Sequence, residues 1–154
     1  MRAFWILLLT LGLFVTAQAA DVVTGRVIKV LPLLLDLKGR TALSPSLFDR
    51  DAYQAKLRQE TNQISAIRYD VLWSAKNLGE NKLKIRLELR GVGTTNNLPK
   101  FKLLTAEATT GFLENWTPLT LDGDEYKSFG AVTAWHASLW DGDKMVGEQK
   151  SFLW

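Results

Sequence analysis

The only histidine of the chain, His136, is the first residue whose side chain could act in catalysis. It lies in the stretch TAWHASLW, between two tryptophans. An imidazole that acts as a general base needs a nucleophile and an orienting acid within hydrogen-bond reach. The sequence has no GxSxG or SxxK motif and no cysteine, and hydrolytic zinc sites usually use two or three histidines. We therefore interpret His136 as structural, and we predict no catalytic residue, no metal ligand and no cofactor.

Two acidic stretches, DGDE at 122–125 and DGD at 141–143, are the next candidates. Clustered carboxylates in loops can bind Ca²⁺, which takes six to eight oxygen ligands. Neither stretch has the spacing of an EF-hand loop, and Asp and Gly are also the residues that turns require. We interpret both stretches as turns, with a structural calcium ion as the alternative. The chain is predicted not to be an enzyme.

Tryptophan is abundant, and all but one of the six tryptophans follow residue 20. Indole rings stack on sugars and anchor protein interfaces, but they also form the cores of β-sandwiches. Trp73 is in phase with Ile67 and Val71 and is predicted to be core. Trp135 and Trp140 have opposite strand parity, so at least one of them is expected outside the core. Both are candidate residues for a ligand or partner.

One stretch, SPSLFDRDAYQAKLRQ at 44–59, has the pattern of a helix. Ser46 is placed to cap it, with Asp49 completing a capping box. The predicted inner face is narrow and consists of Phe48, Ala52, Ala55 and Gln59. A narrow face predicts a helix that lies on a sheet edge or across one end of a sandwich.

The outer surface of this helix offers a second candidate site for a partner. It carries Arg50, Tyr53 and Arg58, which combine two cations with an amphipathic ring. The outer face of the helix is charged, whereas its inner face is narrow. We therefore predict that a partner would contact either this surface or the tryptophans.

The beginning of the chain has the pattern of a signal peptide. Arg2 precedes an apolar run at 4–15, and Ala17 and Ala19 form a small-residue cleavage motif. The run is shorter than the roughly 20 residues of a membrane-spanning helix. We predict cleavage after Ala19 and a single domain at 20–154. The absence of cysteine favours a bacterial protein in the periplasm or secreted.

The charge balance argues against a nucleic-acid partner. The chain has 19 Lys and Arg against 16 Asp and Glu, a formal net charge of +3, and the signal peptide removes only Arg2 from this balance. Nucleic-acid binders usually concentrate positive charge on one face. After residue 19 the chain has no second long apolar run, so we predict no membrane-spanning segment after cleavage.

Apolar side chains alternate with polar ones along much of the chain, which predicts a mainly β fold. Pro32 is expected to break the first strand, and Pro118 to mark an edge strand. Asp141-Gly142 predicts a hairpin, although a bulge is needed to reconcile its two faces. The predicted strands are 22–30 with its continuation at 33–37 after the break, 67–73, 82–90, 101–109, 116–121, 129–140 and 145–154. We expect two packed sheets of about seven strands in all, with the helix between the first and second.

The stretch LTLDGDEYKSFGAVTAWHASLWDGDKMVGEQKSFLW resembles the last three strands of immunoglobulin-like or fibronectin-III-like domains. In this resemblance Leu119 and Leu121 belong to strand E, Tyr126 lies at the corner before strand F, and Asp141-Gly142 forms the F–G turn. Tyr126 departs from the family pattern because it precedes strand F. The combination of LPLLLDLKGRTALSPSLFDRDAYQ with the ending SFLW also resembles a group of secreted bacterial proteins, which implies an exported domain and no particular activity.

Together these observations predict an antiparallel immunoglobulin-like β-sandwich with one short helix. The expected function is a non-catalytic exported binding domain whose partner is a protein or an envelope polysaccharide. The first alternative is a carbohydrate-binding module that uses Trp135 or Trp140 and a structural calcium ion. The second is a small outer-membrane β-barrel, suggested by the KSFLW ending. A lysine facing lipid near the midplane would cost about 2–4 kcal/mol, which counts against that barrel.

Overall fold

A computed structural model describes residues 22–79, 81–93, 98–111 and 114–154. In most of its strands, buried side chains alternate with exposed ones. Leu83, Ile85, Leu87 and Leu89 are buried, while Lys84 and its alternate neighbours face outward. One-sided burial of this kind is what period-two patterning specifies in a sheet. The predicted signal peptide at 1–19 lies outside the described residues.

In the described residues, seven strands form two antiparallel sheets, and the mainly β prediction is confirmed. The strands are β1 Thr24–Asp36, β2 Ile64–Lys76, β3 Leu83–Val92, β4 Pro99–Glu107, β5 Asn115–Asp122, β6 Ala131–Asp141 and β7 Lys144–Lys150. The three-stranded sheet has the order β1-β2-β5, and the four-stranded sheet has the order β4-β3-β6-β7. β1 and β5 are therefore the edges of one sheet, and β4 and β7 are the edges of the other.

The main core combines side chains from both sheets. Trp73 is 1% exposed, as its phase predicted, and its Nε1 donates a hydrogen bond to Thr117 Oγ1 at 2.9 Å. Val71, Leu87, Leu121 and the rest of one buried cluster fill the space around it. Because the indole N–H has a buried acceptor, the ring is buried without leaving a donor unpaired.

The prediction that Pro32 breaks the first strand is wrong. β1 runs through Pro32, which lies opposite Tyr69 of β2. Two residues later, Leu34 directs its backbone N–H and C=O away from β2 toward the side chain of Gln54. Residues two apart on a strand direct their backbone groups to the same side, so the nitrogen of Pro32 also faces the free edge. Its missing N–H therefore removes no hydrogen bond between strands. The irregularities in β1 instead lie between Val27 and Lys29 and between Leu35 and Asp36.

The predicted helix forms as α1, Leu47–Gln59, but with a different inner face. Ser46 is its N-cap and accepts a hydrogen bond from the backbone N–H of Asp49. The buried residues are Gln54 and Leu57, whereas Phe48 is 82% exposed. The predicted inner face was wrong because a buried glutamine carries no hydrophobic signal. α1 contacts β1, and Gln54 places it at the free edge of that strand.

A second helix, α2 at Gly123–Phe129, was not predicted. The DGDE stretch begins this helix: Asp122 is its N-cap, and Asp124 and Glu125 lie in its first turn, where carboxylates favour the helix dipole. The prediction of a turn there, and of strand structure from Phe129, was wrong. Tyr126 consequently lies on α2 and not at a corner between strands. Within the described ranges, no helix has the length and apolar character needed to cross a membrane.

The hairpin between β6 and β7 is confirmed, including its bulge. Gly142 has a φ of 57° in the tight turn, Trp140 pairs with Met145, and the register shifts between Leu139 and Trp140. The predicted final strand is too long, because β7 ends at Lys150 and residues 151–154 form a turn. That turn directs the Trp154 ring back over the four-stranded sheet.

Candidate functional site

The outer face of the four-stranded sheet carries Trp140, one of the predicted partner residues. Its Nε1 donates to Ser138 Oγ at 2.8 Å, and the guanidinium carbon of Arg86 lies 4.0 Å from the centroid of the indole ring. This stacking is a cation–π contact. The ring is half-buried, and Arg86 occupies one of its faces.

His136 lies on the same outer face, between two carboxylates. Its Nε2 is 2.7 Å from Glu148 Oε2, and its Nδ1 is 3.8 Å from Glu88 Oε2. The Trp154 ring packs over it, with 5.3 Å between the ring centroids. His136 therefore links β3, β6 and β7, and both of its ring nitrogens face acidic partners. This arrangement is compatible with the structural interpretation of His136.

Trp154 also stacks against a cation. The guanidinium carbon of Arg90 lies 3.9 Å from the centroid of the Trp154 ring and 5.7 Å from that of Phe101 on β4. The turn that positions Trp154 is held by the backbone of Ser151, whose N–H donates to Trp135 O at 2.9 Å. On this outer face, arginine side chains therefore stack on the indole rings, and the indoles do not form a free row.

β4, at the rim of this sheet, exposes apolar side chains that the sequence did not single out. Phe101 is 72% exposed and Leu103 is 54% exposed on the outer face. On the opposite side, Lys100 donates to the backbone oxygen of Ser128, and Lys102 forms an ion pair with Glu125. α2 therefore holds β4 from the inner side and leaves its outer side open.

The backbone of β4 is also open along its free edge. Gly93 N donates to Leu98 O at 3.0 Å, and Ala108 N donates to Leu83 O at 2.9 Å. Pairs that exchange hydrogen bonds alternate along an antiparallel ladder, and the β3–β4 register has no shift. The even-numbered residues of β4 therefore bond to β3. Phe101, Leu103 and Thr105 direct their N–H and C=O groups outward.

The other three sheet edges are covered or interrupted. Gln54 occupies the β1 edge, where Leu34 N donates to its Oε1 at 2.8 Å. β7 is approached by β1 so closely that a Cβ on Gly147 would lie 2.6 Å from the Cα of Arg26. β5 contains Pro118, whose parity opposite Asp70 places its missing N–H outward. β5 also exposes Trp116, by 38%, at an outward position two residues before Pro118. β4 is the edge on which a row of unpaired backbone groups coincides with two apolar side chains that are more than half exposed.

The predicted partner residues on α1 do not form one open surface. The Tyr53 hydroxyl donates to Asp36 Oδ2 at 2.8 Å, so its ring tip is part of an internal hydrogen-bond network. The Arg50 guanidinium bonds to Asp51 Oδ1 at 3.0 Å. Arg58 is exposed and points toward a cleft on another side of the helix.

Asp36 is the centre of that network and is 4% exposed. Its carboxylate accepts hydrogen bonds from Lys38 N and Arg40 N, each at 2.8 Å, and from the Arg40 guanidinium and Tyr53. Burial by itself would raise the pKa of Asp36. The hydrogen bonds, led by those from Arg40 and Tyr53, outweigh burial and hold the pKa well below its usual value. The same contact with Asp36 raises the pKa of the Tyr53 hydroxyl.

A cleft of about 390 Å³ brings Trp135 and Arg58 together. It opens between the second half of β1 and the beginning of β6, with Tyr69 and Tyr126 in its wall. Burial, followed by the proximity of Tyr126, raises the pKa of the Tyr69 hydroxyl, and burial also raises that of Tyr126. Of the five predicted residues, the structure thus brings two into one cleft and separates the other three.

Sequence reasoning missed the residues that distinguish these sites. Phe101 and Leu103 alternate with Lys100 and Lys102, a pattern that did not show which face is exposed. Gln54 and Asp36 are buried polar residues, and pattern analysis assigns such residues to the surface. The residue that could have indicated the open edge is Pro99. It begins β4 at a position where the backbone nitrogen faces away from β3.

Comparisons with known proteins add no assignment to this geometry. No protein-family model, no curated protein and no solved structure matches the chain. In the described part of the chain, no group of three or more His, Cys, Asp or Glu is arranged to hold a metal ion.

Proposed function

We propose that this chain is a non-catalytic binding domain that is exported to the periplasm or secreted, and that its partner is a protein which adds a strand to β4. The observation that carries the proposal is the open edge. Phe101, Leu103 and Thr105 present unpaired backbone groups to the edge and side chains, two of them large and apolar, to the outer face. Strand addition uses these two features: backbone bonds for affinity and alternate side chains for specificity.

The contrast with the other edges supports this choice. Natural sheets protect edges with proline, charge, irregular strands or a covering element, because a bare edge recruits other strands. Gln54, Pro118 and the approach of β1 to β7 serve this purpose in the described residues. β4 has its proline, Pro99, at the first residue, and its two lysines point to the inner side of the sheet. Outward groups therefore remain open to a partner at Phe101, Leu103 and Thr105.

An envelope polysaccharide is the less supported partner. A sugar platform needs indole faces that are free and aligned. Trp73 is buried, the ring of Trp140 is stacked by Arg86, and Trp154 is covered by contacts with His136 and Arg90. Trp116 is 38% exposed but lies on the other sheet, and Trp135 lines a separate cleft, so these indoles do not form a row. A nucleic-acid partner has no support from the modest net charge of +3.

The finer fold assignment belongs to the same proposal. We assign the sandwich to the immunoglobulin-like class, with β1, β2 and β5 as strands A, B and E. The facing β3, β6 and β7 then correspond to C, F and G, and β4 takes the additional place beside C. The order of strands in both sheets supports this assignment, whereas α1 and α2 are additions to it.

A pair of matched substitutions tests the proposed function. Thr105→Pro removes an outward N–H on β4, and Thr120→Pro makes the same change at an exposed, outward position on β5. Peptides are selected from a random library on the wild-type protein, and their affinities for the three proteins are compared by calorimetry. We expect at least a tenfold loss for Thr105→Pro and less than a twofold loss for Thr120→Pro.

Mapping and a glycan screen complete the test. Backbone amide shifts on peptide addition should concentrate at Phe101, Leu103 and Thr105 in NMR spectra. Equal binding to wild type and Thr105→Pro would remove β4 as the site. Saturable binding of a polysaccharide in a glycan array, together with a change in tryptophan fluorescence, would favour the carbohydrate-binding alternative.

A further inference from the structure

The cleft beside Arg58 has an unusual polar residue in its wall. Tyr69 is 1% exposed, yet its hydroxyl has no hydrogen-bond partner among the side chains and backbone groups that the structure describes. The Tyr69 oxygen is not one of the fully buried unpaired atoms, so it reaches the cleft that the residue lines and is open to a bound molecule. Tyr126, from α2, also lines the cleft and contributes to the raised pKa of the Tyr69 hydroxyl. Two hydroxyl donors are therefore available to a bound molecule.

The remaining wall of the cleft is mostly apolar. Pro32 and Leu34 come from β1, Ile67 from β2, and Val132 and Trp135 from β6. Such walls, combined with a few polar groups, are typical of sites for small ligands, whose pockets start at about 300 Å³. The volume of about 390 Å³ limits the ligand to a small molecule or one end of a larger one.

The charge of the lining selects the ligand further. Arg58 is the one charged residue that lines the cleft in the described part of the chain, and no Asp or Glu lines it. A cationic ligand would therefore meet an uncompensated positive charge. A carboxylate would meet the guanidinium of Arg58 and two hydroxyl donors, and charge-assisted hydrogen bonds are the stronger kind.

The cleft lies where the neighbours of β1 change along the strand. The first half of β1 lies against β7, where Gly147 permits close contact. After the irregularity between Val27 and Lys29, the second half lies beside α1. β7 ends at Lys150, so the space beside Tyr69 is bordered by Ser151 and is not filled by a strand.

We propose that this cleft binds a small amphipathic carboxylate. Its apolar body packs among Leu34, Ile67 and Trp135, and its carboxylate accepts hydrogen bonds from Tyr69 and Tyr126 beside Arg58. This site is separate from the β4 edge, which belongs to the opposite rim of the sandwich, so either proposal can fail without the other.

The test uses three molecules of the same chain length with the purified full chain. Octanoate, octylammonium and octanol are titrated, with calorimetry for affinity and NMR for the location of binding. We expect saturable binding of octanoate with amide shifts at 131–135. Octanol should bind at least tenfold more weakly because it lacks the charge-assisted contacts, and octylammonium should not bind. Equal binding of octanoate and octylammonium, or no saturable binding of octanoate, overturns the proposal.

Matched variants locate the carboxylate. Arg58→Gln should weaken octanoate binding several-fold, while Arg50→Gln, on the same helix but paired with Asp51, should leave it unchanged. Tyr69→Phe should weaken binding about tenfold or more. Equal effects of the two arginine variants would overturn the assignment of the carboxylate to Arg58.

The melting temperature of Tyr69→Phe without ligand is the control for correct folding. The hydroxyl has no protein partner, so its removal should leave the melting temperature unchanged or higher. A clear drop in melting temperature would show that the hydroxyl already has a partner in the free protein, and it would contradict the proposal.

Discussion

The free edges of β1 and β4 both have backbone N–H and C=O groups without a neighbouring strand, but only the β1 edge is covered. Both strands end a sheet, and both carry a proline with outward parity, Pro32 and Pro99. At β1 the side-chain amide of Gln54 pairs with both backbone groups of Leu34, as a neighbouring strand would. At β4 no such partner is found among the described residues. The difference teaches that this fold protects one edge with an inserted helix and leaves another available.

The protection of β1 depends on a polar network at the end of the strand. Asp36 fixes the turn that follows β1 through Lys38 and Arg40, and it holds α1 through Tyr53. Gln54 then reaches both Leu34 and the backbone oxygen of Thr41. Hydrogen bonds therefore join the helix to the strand edge, which makes the comparison testable by removing single acceptors and donors.

Asp36→Ala should cause the largest loss in the free energy of unfolding among the variants at the β1 edge. It leaves the Tyr53 hydroxyl and two backbone N–H groups without their acceptor, and loss of one partner from a buried charged network costs about 3 kcal/mol. Urea unfolding followed by circular dichroism measures the change in the free energy of unfolding. Asp51→Ala, an exposed carboxylate on α1, should change it by less than about 0.5 kcal/mol. Equal effects of the two variants would mean that the network is not structural.

Gln54→Ala should come next, with a loss of about 2 kcal/mol, because Leu34 keeps a partly buried N–H and C=O without partners. The matched control is Gln59→Ala, at an exposed position of the same helix. Uncovering the β1 edge should also raise the tendency to associate, measured by light scattering during concentration. If the Gln54 variant is as stable and as monomeric as the control, the amide does not protect the edge.

The same network predicts the acid limb of the stability curve. Because the pKa of Asp36 is lower in the folded protein than the usual value of about 3.9, the folded state favours the ionised form. Its stabilisation is therefore complete above the unfolded pKa and is lost as the pH falls through that value toward the folded pKa. Asp36→Asn should lower stability at pH 7 and flatten its decline between about pH 5 and 2. Parallel pH profiles for wild type and variant would contradict this assignment.

The same two edges also show what could be read from the sequence. The alternation at Leu83 to Leu89 predicted β3 well because burial there is one-sided. Pro32 misled the reading of β1, since whether proline breaks a strand depends on which side its nitrogen faces. That side is set by pairing with Tyr69, a residue far along the chain. Local pattern therefore gave the strands and, through Pro118, the edge position of β5, but it did not show that β1 and β4 are edges.

The candidate sites were harder to predict for a related reason. Trp135 and Arg58 were chosen for residue type, and their meeting in one cleft depends on the course of β1 and the end of β7. Gln54 and Asp36 could not be found, because a polar side chain shows its burial only through partners supplied by distant residues. Phe101 and Leu103 resembled ordinary alternate residues of a covered strand until the strand order placed β4 at the rim.

Thr105→Pro is expected to have the smallest effect on stability, and it tests directly whether the β4 edge is open. Thr105→Pro should cost less than about 1 kcal/mol, because the N–H that it removes points to the free edge and proline is accepted on edge strands. Leu104→Pro, one residue away, removes an N–H that bonds to β3 and should cost about 3 kcal/mol. Thermal unfolding of the two variants measures this difference directly. If both variants are equally destabilised, the parity assigned to β4 is wrong, and the outward row of Phe101, Leu103 and Thr105 would not offer its backbone to a partner. If only Leu104→Pro unfolds easily, the edge is open in the way that strand addition requires, and a loss of partner binding by Thr105→Pro is then attributable to the edge and not to unfolding.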